Sequence, residues 1–376
     1  MRIGIDARLW DQTGVGRYVR NLVQHLGKID KKNTYFLFCL EQDCENIKSQ
    51  ISNLKYDNFR IIGVSIKWHS IFEQINFPRV LNSYDIDLMH FPYFSVPIFY
   101  NKPFVVTIHD LIVHHFPTGK ASTLVFPVYE TKLLGYKLVI KKAAQKAKKI
   151  IAVSNATKEE IIDHLKVQED KIQVIYEGAD DKVKFKVQSS RFKVAGQYFL
   201  YVGNAYPHKN LERLIEAFSA VNKQRTINKE LKLVLVGKND FFYKRLEEKV
   251  GKEKNSSVEF LHDITDSELS ELYSKAAALI LPSLMEGFGL PILEAMSNNC
   301  PVLASDIPSL REIGQDAVIY FDPFSVSDIR KNLELIIRNS QLREKLIKRG
   351  LEISKQFSWE KTASDTLALY ESALGS

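Results

Sequence analysis

Two carboxylates and a glycine turn lie close together in residues 283–295, which read Ser-Leu-Met-Glu-Gly-Phe-Gly-Leu-Pro-Ile-Leu-Glu-Ala. Pro291 suits the first turn of a helix, so we expect a helix to begin there. The N–H groups at such a start bind phosphate through hydrogen bonds and the helix dipole. Glu294, one turn inside the helix, can accept hydrogen bonds from a ribose diol, and Glu286 can bind sugar hydroxyls. The run therefore predicts a nucleotide-sugar site; the alternative is a glycine-shaped loop with solvated acids.

Strands must position this run. Short apolar, β-branched segments alternate with longer helical patterns along the chain, which indicates βαβ units and parallel sheets. We predict seven strands before residue 180 and six after it, enough for a doubly wound sheet in each half. One predicted strand, Ala278–Leu281, directly precedes the run. The run therefore lies at the carboxyl end of a strand, where open α/β sheets bind ligands.

The spacing of Glu286 and Glu294 around Gly-Phe-Gly-Leu-Pro resembles the E-x7-E signature of the retaining GT-B glycosyltransferases of family 4. The resemblance covers essentially the whole chain. It implies an α/β, GT-B architecture, with two Rossmann-like, doubly wound parallel-sheet domains facing a central cleft. It also implies that Glu286 lies by the sugar hydroxyls and that Glu294 binds the ribose. The turn whose amides would hold the diphosphate comprises Gly287, Phe288, Gly289 and Leu290.

The loop after the predicted strand Tyr198–Gly203 offers positive charge. Lys209 would stand at a helix start, where it could neutralise a diphosphate as its bond to the sugar breaks. The resembled family supplies an Arg and a Lys from this loop; Lys209 matches the Lys, but Asn204 stands at the Arg position. A protonated His208 would compensate for the missing charge. Without the surrounding pattern, Lys209 would be interpreted as a solvated lysine.

The first half supplies further candidates. Gly14 and Gly16 lie in the first βα loop, which the resemblance places against the donor phosphates, with Gly16 as a backbone contact. Arg17 could add positive charge there or lie on a helix surface. His109 ends the predicted strand Phe104–His109, and the resemblance implies contact with the transferred sugar, with Asp110 in a supporting role. The alternative for His109 is a structural histidine.

Two shorter motifs complete the site prediction. The resemblance implies that backbone groups of His262, Asp263 and Ile264 read the nucleobase. Asp85 and Asp87 form a D-x-D pattern, which chelates a metal in another glycosyltransferase architecture, but turn residues that cap a strand are the favoured interpretation here. We therefore expect a metal-independent enzyme without a cofactor.

The domain prediction places residues 1–190 in an N-terminal, acceptor-side Rossmann-like domain and residues 191–358 in a C-terminal, donor-binding Rossmann-like domain. Residues 359–376 are expected to form a final helix that packs back toward the N-terminal domain. The boundary is set between Asp180 and Gln197, because this polar, lysine-rich stretch precedes a new strand.

The net charge of +7 is carried by the first half. Residues 1–190 contain 27 Lys+Arg and 20 Asp+Glu, whereas residues 191–376 contain 25 of each. Such asymmetry indicates an anionic partner, either a membrane surface or a phosphate-bearing acceptor, with chance composition as the alternative. The segment Lys132–Lys149 is predicted as one basic helix that could lie on anionic lipid or pack with a solvated face. Nucleic acid is disfavoured because no aromatic platform accompanies the lysines.

The three cysteines have no metal-ligand spacing and suit a reducing compartment. No basic and apolar leader precedes the first predicted strand, Ile3–Asp6, and no apolar run approaches the roughly 20 residues that span a bilayer. We expect a cytoplasmic protein, with peripheral docking at the inner membrane face left open.

The expected function is that of a retaining glycosyltransferase that moves a hexose from a nucleotide diphosphate to a hydroxyl of a glycan or lipid-linked acceptor. Ile5–Arg8 and Thr107–Leu111 resemble bacterial mannosyltransferases of surface-polysaccharide assembly, including lipopolysaccharide, so GDP-mannose is the first choice of donor. UDP-linked glucose or N-acetylhexosamine stays open. The alternatives are a non-catalytic nucleotide-sugar-binding subunit and a nucleotide-sugar epimerase of the same fold.

Overall fold

The computed structural model describes residues 1–12, 14–53, 56–116, 126–179, 194, 196–223, 231–253 and 255–375. The chain divides into two compact units. The first comprises Met1–Gly178 together with Trp359–Ser376, and the second comprises Ala179–Ser358. The first unit is therefore formed by two separate segments of the chain, and the second unit lies between them in sequence.

The described part of the first unit contains one sheet of seven parallel strands, in the order β3-β2-β1-β4-β5-β6-β7. The strands are β1 (Arg2–Asp6), β2 (Thr34–Leu40), β3 (Phe59–Val64), β4 (Leu88–Phe91), β5 (Phe104–Ile108), β6 (Lys149–Ala152) and β7 (Ile172–Val174). Every residue of β4 and β5 is buried, as expected for central strands of a parallel sheet covered on both faces. The order in which strands join the sheet reverses between β1 and β4: β2 and β3 lie on one side of β1, and β4 to β7 lie on the other.

The second unit repeats this plan with six parallel strands in its described ranges, in the order β10-β9-β8-β11-β12-β13. They are β8 (Gln197–Val202), β9 (Leu231–Val236), β10 (Val258–Leu261), β11 (Ala278–Leu281), β12 (Val302–Ser305) and β13 (Val318–Phe321). The order reverses between β8 and β11. The prediction of two doubly wound parallel sheets is confirmed.

Helices connect the strands in both units. Those before β8 are α1 (Gly14–Ile29), α2 (Cys44–Asn53), α3 (Ile71–Asn82), α4 (Ile112–His115), α5 (Phe126–Lys146) and α6 (Asn155–Leu165). Those that follow are α7 (Leu211–Lys223), α8 (Phe241–Lys252), α9 (Asp266–Lys275), α10 (Leu290–Ser297), α11 (Pro308–Gly314), α12 (Val326–Arg338), α13 (Ser340–Ser354) and α14 (Trp359–Gly375). The predicted basic helix over Lys132–Lys149 is wrong at its end, because α5 stops at Lys146 and Lys149 begins β6. Over the described residues, no helix combines the length and the apolar character needed to cross a bilayer.

Helix α14 belongs to the core of the first unit. The hydroxyl oxygen of Tyr370 lies 2.6 Å from Nδ1 of His90, and both side chains are fully buried. Thr362 donates a hydrogen bond of 2.7 Å to the carbonyl of Tyr176, which follows β7. Burial lowers the pKa of His90 to about 3, so this histidine is neutral and serves the packing of α14 against the sheet.

A buried ion network stands at the carboxyl end of β1. Arg8 contacts Asp6 and Glu73 through Nη2, each at 2.6 Å, and its guanidinium lies 3.7 Å from the ring centroid of Phe77. Glu73 also accepts hydrogen bonds from the hydroxyl of Ser95 at 3.1 and 3.0 Å. Arg8 and Glu73 are almost completely buried, so each charge depends on the other for its compensation.

We expect Glu73→Gln to lower the free energy of unfolding of the first unit by about 3–5 kcal/mol, because it leaves the Arg8 charge buried with one partner fewer. Asp85→Asn is the matched control: it removes a carboxylate from the exposed pair with Arg2 and should cost at most about 1 kcal/mol. Urea unfolding followed by tryptophan fluorescence measures this, since all three tryptophans belong to the first unit. Equal losses in the two variants would contradict the prediction.

Candidate functional site

The loops after β8 and β11 meet in the second unit at the point where the strand order reverses. The two strands are parallel neighbours, so their carboxyl ends lie side by side. A backbone hydrogen bond of 2.7 Å from Leu284 N–H to the carbonyl of His208 joins the two loops directly. This is the position at which open α/β sheets bind ligands.

Lys209 and Glu286 form an ion pair across this point. Nζ of Lys209 lies 2.7 Å from Oε1 and 2.8 Å from Oε2 of Glu286, and Ser283 donates a hydrogen bond of 2.6 Å to Oε1. Each side chain of the ion pair is 14% exposed. Burial raises the pKa of Glu286, but the Lys209 charge and the hydrogen bonds outweigh this, and the pKa is lower than usual. The carboxylate is therefore ionised and held by a cation.

The backbone around Lys209 differs from the prediction. Lys209 ends a short 3₁₀ turn, Pro207–Lys209, and α7 begins two residues later at Leu211. Asn210 between them has the left-handed φ of 59°, which interrupts a continuous helix. Its side-chain amide donates to the carbonyls of Pro282 and Pro323, at 2.9 and 2.8 Å. Asn210 thereby fixes the Lys209 loop against the end of β11.

The charge deficit at Asn204 is not made up by His208. Burial, together with the Lys209 charge, lowers the pKa of His208 to about 4, so it is neutral near pH 7 and the expectation of a compensating cation is wrong. Asn204 takes part in the turn itself. Its carbonyl accepts a hydrogen bond of 2.6 Å from the Tyr201 hydroxyl, and its side-chain oxygen accepts one of 3.4 Å from the Tyr206 N–H.

The glycine turn leads directly into a helix, which begins one residue earlier than the sequence predicted. Gly289 has a φ of 102°, a region that side chains rarely tolerate, and an added Cβ would lie 2.7 Å from Leu310. Helix α10 begins directly after it at Leu290, one residue before Pro291. Phe288 is buried and packs edge-on against Phe357, with ring centroids 6.1 Å apart. Gly287 leads into this turn, which lies between the two predicted acids.

Glu294 lies inside α10, and its side chain is buried. Its Oε2 accepts a hydrogen bond of 2.8 Å from the hydroxyl of Tyr273 on α9. The tyrosine orients the carboxylate, and the interpretation of Glu294 as a solvated helix residue is wrong.

The residues predicted at the nucleobase follow β10. Nδ1 and Nε2 of His262 lie 2.6 Å from the Gly237 carbonyl and 2.6 Å from Oε1 of Glu247. Burial lowers the pKa of His262, but the two acceptors raise it by more than burial lowers it. The pKa is therefore above its usual value. Asp263 is exposed with a left-handed φ of 53°, and Ile264 is half-buried. The loop lies at the same edge of the sheet as the glycine turn, beyond β8 and β9.

His109 follows β5 in the first unit, one residue beyond the strand. Its Nδ1 lies 2.9 Å from Oε1 of Glu177, its Nε2 lies 2.9 Å from the Pro92 carbonyl, and Tyr18 packs edge-on against its ring. Burial lowers the pKa of His109, but the Glu177 carboxylate outweighs it and the pKa is above its usual value. Both ring nitrogens therefore face acceptors, an arrangement that favours the imidazolium.

The remaining first-unit candidates lie near the starts of helices. Gly14 is the exposed first residue of α1. Gly16 is buried, and a Cβ there would lie 2.4 Å from the Trp10 carbonyl oxygen, so glycine is required by the preceding loop. Arg17 is half-buried on α1. Asp110 accepts a hydrogen bond of 2.9 Å from the Ile112 N–H at the start of α4.

Several site residues were not predicted from sequence. Glu177 and Tyr273 orient His109 and Glu294, and Ser283 supports Glu286. Glu177 follows β7, and its position beyond the carboxyl end of a strand was the sequence signal that could have identified it as a site residue. The D-x-D acids Asp85 and Asp87 both pair with Arg2 at the start of β1, as the strand-capping interpretation expects.

Similar proteins include bacterial mannosyltransferases. The chain is 31% identical to O-antigen chain mannosyltransferase RfbU of Salmonella typhimurium over 65% of its own length, and the match spans 62% of that relative. It is 26% identical to O-antigen chain mannosyltransferase B of Escherichia coli, over 96% of each chain.

Solved structures share the fold. A sucrose-phosphate synthase from Thermosynechococcus elongatus superimposes with a TM-score of 0.79 at 21% identity, covering 100% of this chain and 99% of that one. Anabaena HepE, solved in complex with UDP and glucose, gives a TM-score of 0.74 at 16% identity over 99% and 100% of the two chains.

Two family models account for most of the sequence. Residues 12–183 match Glycosyltransferase Family 4, and residues 182–352 match Glycosyl transferases group 1. The first match contains β2 to β7, and the second contains β8 to β13 together with the Lys209–Glu286 pair and the glycine turn. The chain belongs to the GT-B glycosyltransferases of group 1 and family 4.

Proposed function

We propose that this enzyme transfers a hexose, with retention of configuration, from a nucleotide diphosphate to a hydroxyl of a glycan or lipid-linked acceptor. The observation that carries the proposal is the Lys209–Glu286 pair beside the turn at Gly289. It combines a cation, an acid and a helix start at the switch point of one sheet. These are the groups needed to bind a diphosphate and an adjoining sugar.

The ion pair has a direct role in this proposal. A diphosphate at the start of α10 competes with Glu286 for the Lys209 ammonium. Lys209 then stabilises the charge that develops on the leaving diphosphate, and the released Glu286 carboxylate accepts hydrogen bonds from sugar hydroxyls. Glu294, oriented by Tyr273, binds the ribose. The positive charge at the diphosphate comes from Lys209 and the helix start, without a metal ion or cofactor.

Retention follows, in this proposal, from attack on the face that the diphosphate leaves, with the departing phosphate accepting the proton of the acceptor hydroxyl. The protein contributes by positioning the reactants and stabilising the leaving group. The donor sugar is proposed to be mannose, carried by GDP. The mannosyltransferase names of the Salmonella and Escherichia relatives support this choice, and their O-antigen products support a role in surface-polysaccharide assembly.

The donor site is tested by titrating GDP-mannose, UDP-glucose and the free nucleotides in isothermal calorimetry, with transfer measured in parallel. We expect Glu294→Ala to weaken nucleotide binding by about 1–3 kcal/mol, because the ribose loses its acceptor. We expect Lys209→Ala to reduce transfer by about 100-fold or more, a typical cost of removing a group that stabilises developing charge. Glu259→Ala is the matched control for Glu294→Ala, since its carboxylate pairs with Lys232 in the same unit.

Other results would identify the alternatives. Full activity in both variants would contradict the proposed site. Donor binding without transfer or donor hydrolysis would favour the non-catalytic subunit, for which the neutral Asn204–His208 loop is the supporting observation. Conversion of the donor sugar to its epimer without an acceptor would favour the epimerase.

His109 gives a pH-dependent prediction. Its raised pKa contributes stability that is fully present below the usual value of 6.5 and is lost as the pH rises through the folded-state pKa. Glu177→Gln should remove this contribution, so we expect it to destabilise the first unit more at pH 6 than at pH 9. Histidine-selective NMR should also show that the His109 pKa falls in this variant.

His90 is the internal control, because its lowered pKa of about 3 keeps it neutral and its resonances should not titrate between pH 5 and 9. A His109 pKa that is unchanged in Glu177→Gln would rule out the carboxylate as the cause of the shift. The contact of His109 with the transferred sugar stays a prediction.

We further propose that the first unit docks on an anionic membrane surface through exposed apolar residues of α3, α5 and the loop after β4, here called the α3–α5 face. Its exposed apolar residues are Ile71, Phe72 and Ile75 of α3, Phe99, and Leu134 and Leu138 of α5. The Ile98 N–H donates to the Gln74 side chain at 2.8 Å, and Lys146 donates to the Ile98 carbonyl at 2.7 Å. These bonds tie the loop that carries Phe99 to both helices.

Charge complementarity supports lipid as the occupant of the α3–α5 face. Exposed lysines flank the two leucines of α5, namely Lys132, Lys137, Lys141 and Lys142. Each basic residue near an anionic leaflet adds about 1 kcal/mol of attraction, while the apolar side chains insert between headgroups. Such a surface would hold the enzyme beside a lipid-linked acceptor.

Vesicle co-sedimentation tests this docking. We expect binding to phosphatidylglycerol vesicles, weak binding to phosphatidylcholine vesicles, and loss of binding at high salt because the charges are screened. Leu134→Ser with Leu138→Ser should weaken binding by about tenfold or more, since each leucine contributes up to about 1.5–3 kcal/mol on burial. Leu335→Ser, an exposed leucine of the second unit, is the matched control. Equal binding by both variants would contradict the proposal.

A further inference from the structure

A second group of titratable side chains lies in the first unit, outside the proposed donor site. His115 is the last residue of α4, and Glu160 and His164 lie one turn apart on α6. Nε2 of His115 lies 2.5 Å from Oε2 of Glu160, and Nε2 of His164 lies 3.3 Å from the same oxygen. Between 31% and 37% of each side chain is exposed, so solvent and ions reach the cluster.

These three side chains present a metal-binding set of atoms. One ligand atom from each lies within 4.8 Å of the other two, and no other such trio of His, Cys, Asp or Glu occurs in the described ranges. Two imidazole nitrogens and one carboxylate oxygen are a ligand set of zinc sites that leave one position for water. We propose that His115, Glu160 and His164 bind a divalent transition-metal ion of the zinc class.

The distances are compatible with such an ion. Zinc–nitrogen bonds of about 2.0–2.1 Å place the ligand atoms of a tetrahedral site about 3.3 Å apart. The His164–Glu160 distance already has this value. The His115–Glu160 distance must widen by about 0.8 Å on the same geometry, a movement that rotation of partly exposed side chains allows.

The ion would join two segments that flank His109. Helix α4 begins three residues after His109, and Asp110 holds its first N–H. Helix α6 contributes Thr157, whose hydroxyl donates a hydrogen bond of 3.2 Å to the His109 carbonyl. Glu160 lies one turn along α6 from Thr157. An ion bound by His115 and Glu160 would therefore link α4 to α6. The ion, with a water in its fourth position, would act by holding the two segments together. This action is independent of the donor chemistry proposed for the second unit.

Zinc titration of the full-length, EDTA-treated protein tests the site by calorimetry. We expect one tight Zn²⁺ site per chain and a rise in the thermal unfolding temperature, because an ion that binds only the folded state stabilises it. His164→Ala should weaken this binding by more than about 100-fold, since even the loss of an outer partner of a ligand costs 10–100-fold. Co²⁺ in place of Zn²⁺ should give the visible absorption of a tetrahedral site.

Two further variants make the test decisive. His25→Ala is the matched control, because His25 lies on α1 of the same unit, outside the cluster, with its Nδ1 bonded to the Asn21 carbonyl. The Zn²⁺ affinity of this variant should equal that of the unmodified protein. Glu160→Gln preserves the shape of the side chain and should also weaken binding. The absence of binding at micromolar Zn²⁺ would overturn the proposal. So would a Zn²⁺ affinity in His164→Ala and Glu160→Gln that equals the affinity of the unmodified protein.

Discussion

Parallel strand pairing is the constraint on which the site depends. Because every strand of a unit runs in the same direction, all the loops that can carry chemistry leave from one edge of its sheet. The reversal between β8 and β11 sends the next helices to opposite sides and brings two loops together at that edge. Lys209 and Glu286, 77 residues apart in sequence, consequently meet in a bonded pair. Their partial burial makes the pairing necessary, since either charge alone would be costly there.

Much of this arrangement could be predicted from local sequence. Strands buried on both faces appear as short continuous apolar runs, as Ala278–Leu281 does, and Gly289 followed by Pro291 predicts a turn and a helix start. The Lys209–Glu286 contact could not be predicted, because it depends on which strands are neighbours. The sequence predicts a helix start at Lys209, whereas α7 begins at Leu211, because the left-handed conformation of Asn210 leaves no periodic signal.

The first unit shows the same division between residue type and partner. The position of His109 at the carboxyl end of a strand could be predicted from the sequence, but its partner Glu177 lies 68 residues away in a loop without hydrophobic periodicity. Likewise, His115 and Glu160 are separated by 45 residues in sequence and meet only through the tertiary structure. For His109, this long-range contact places a carboxylate beside the ring and raises the pKa of the histidine.

The two-segment composition of the first unit has a consequence for its biosynthesis. Tyr18 and His90 are buried partly by α14, whose Trp359 and Tyr370 emerge from the ribosome only after the second unit. The second unit is a continuous stretch of chain and holds all its own strands. Since domains fold as units during synthesis, the inserted unit can complete its core while the first still exposes the surface that α14 covers. The second unit can therefore finish folding before the first, although most of the first unit is translated earlier.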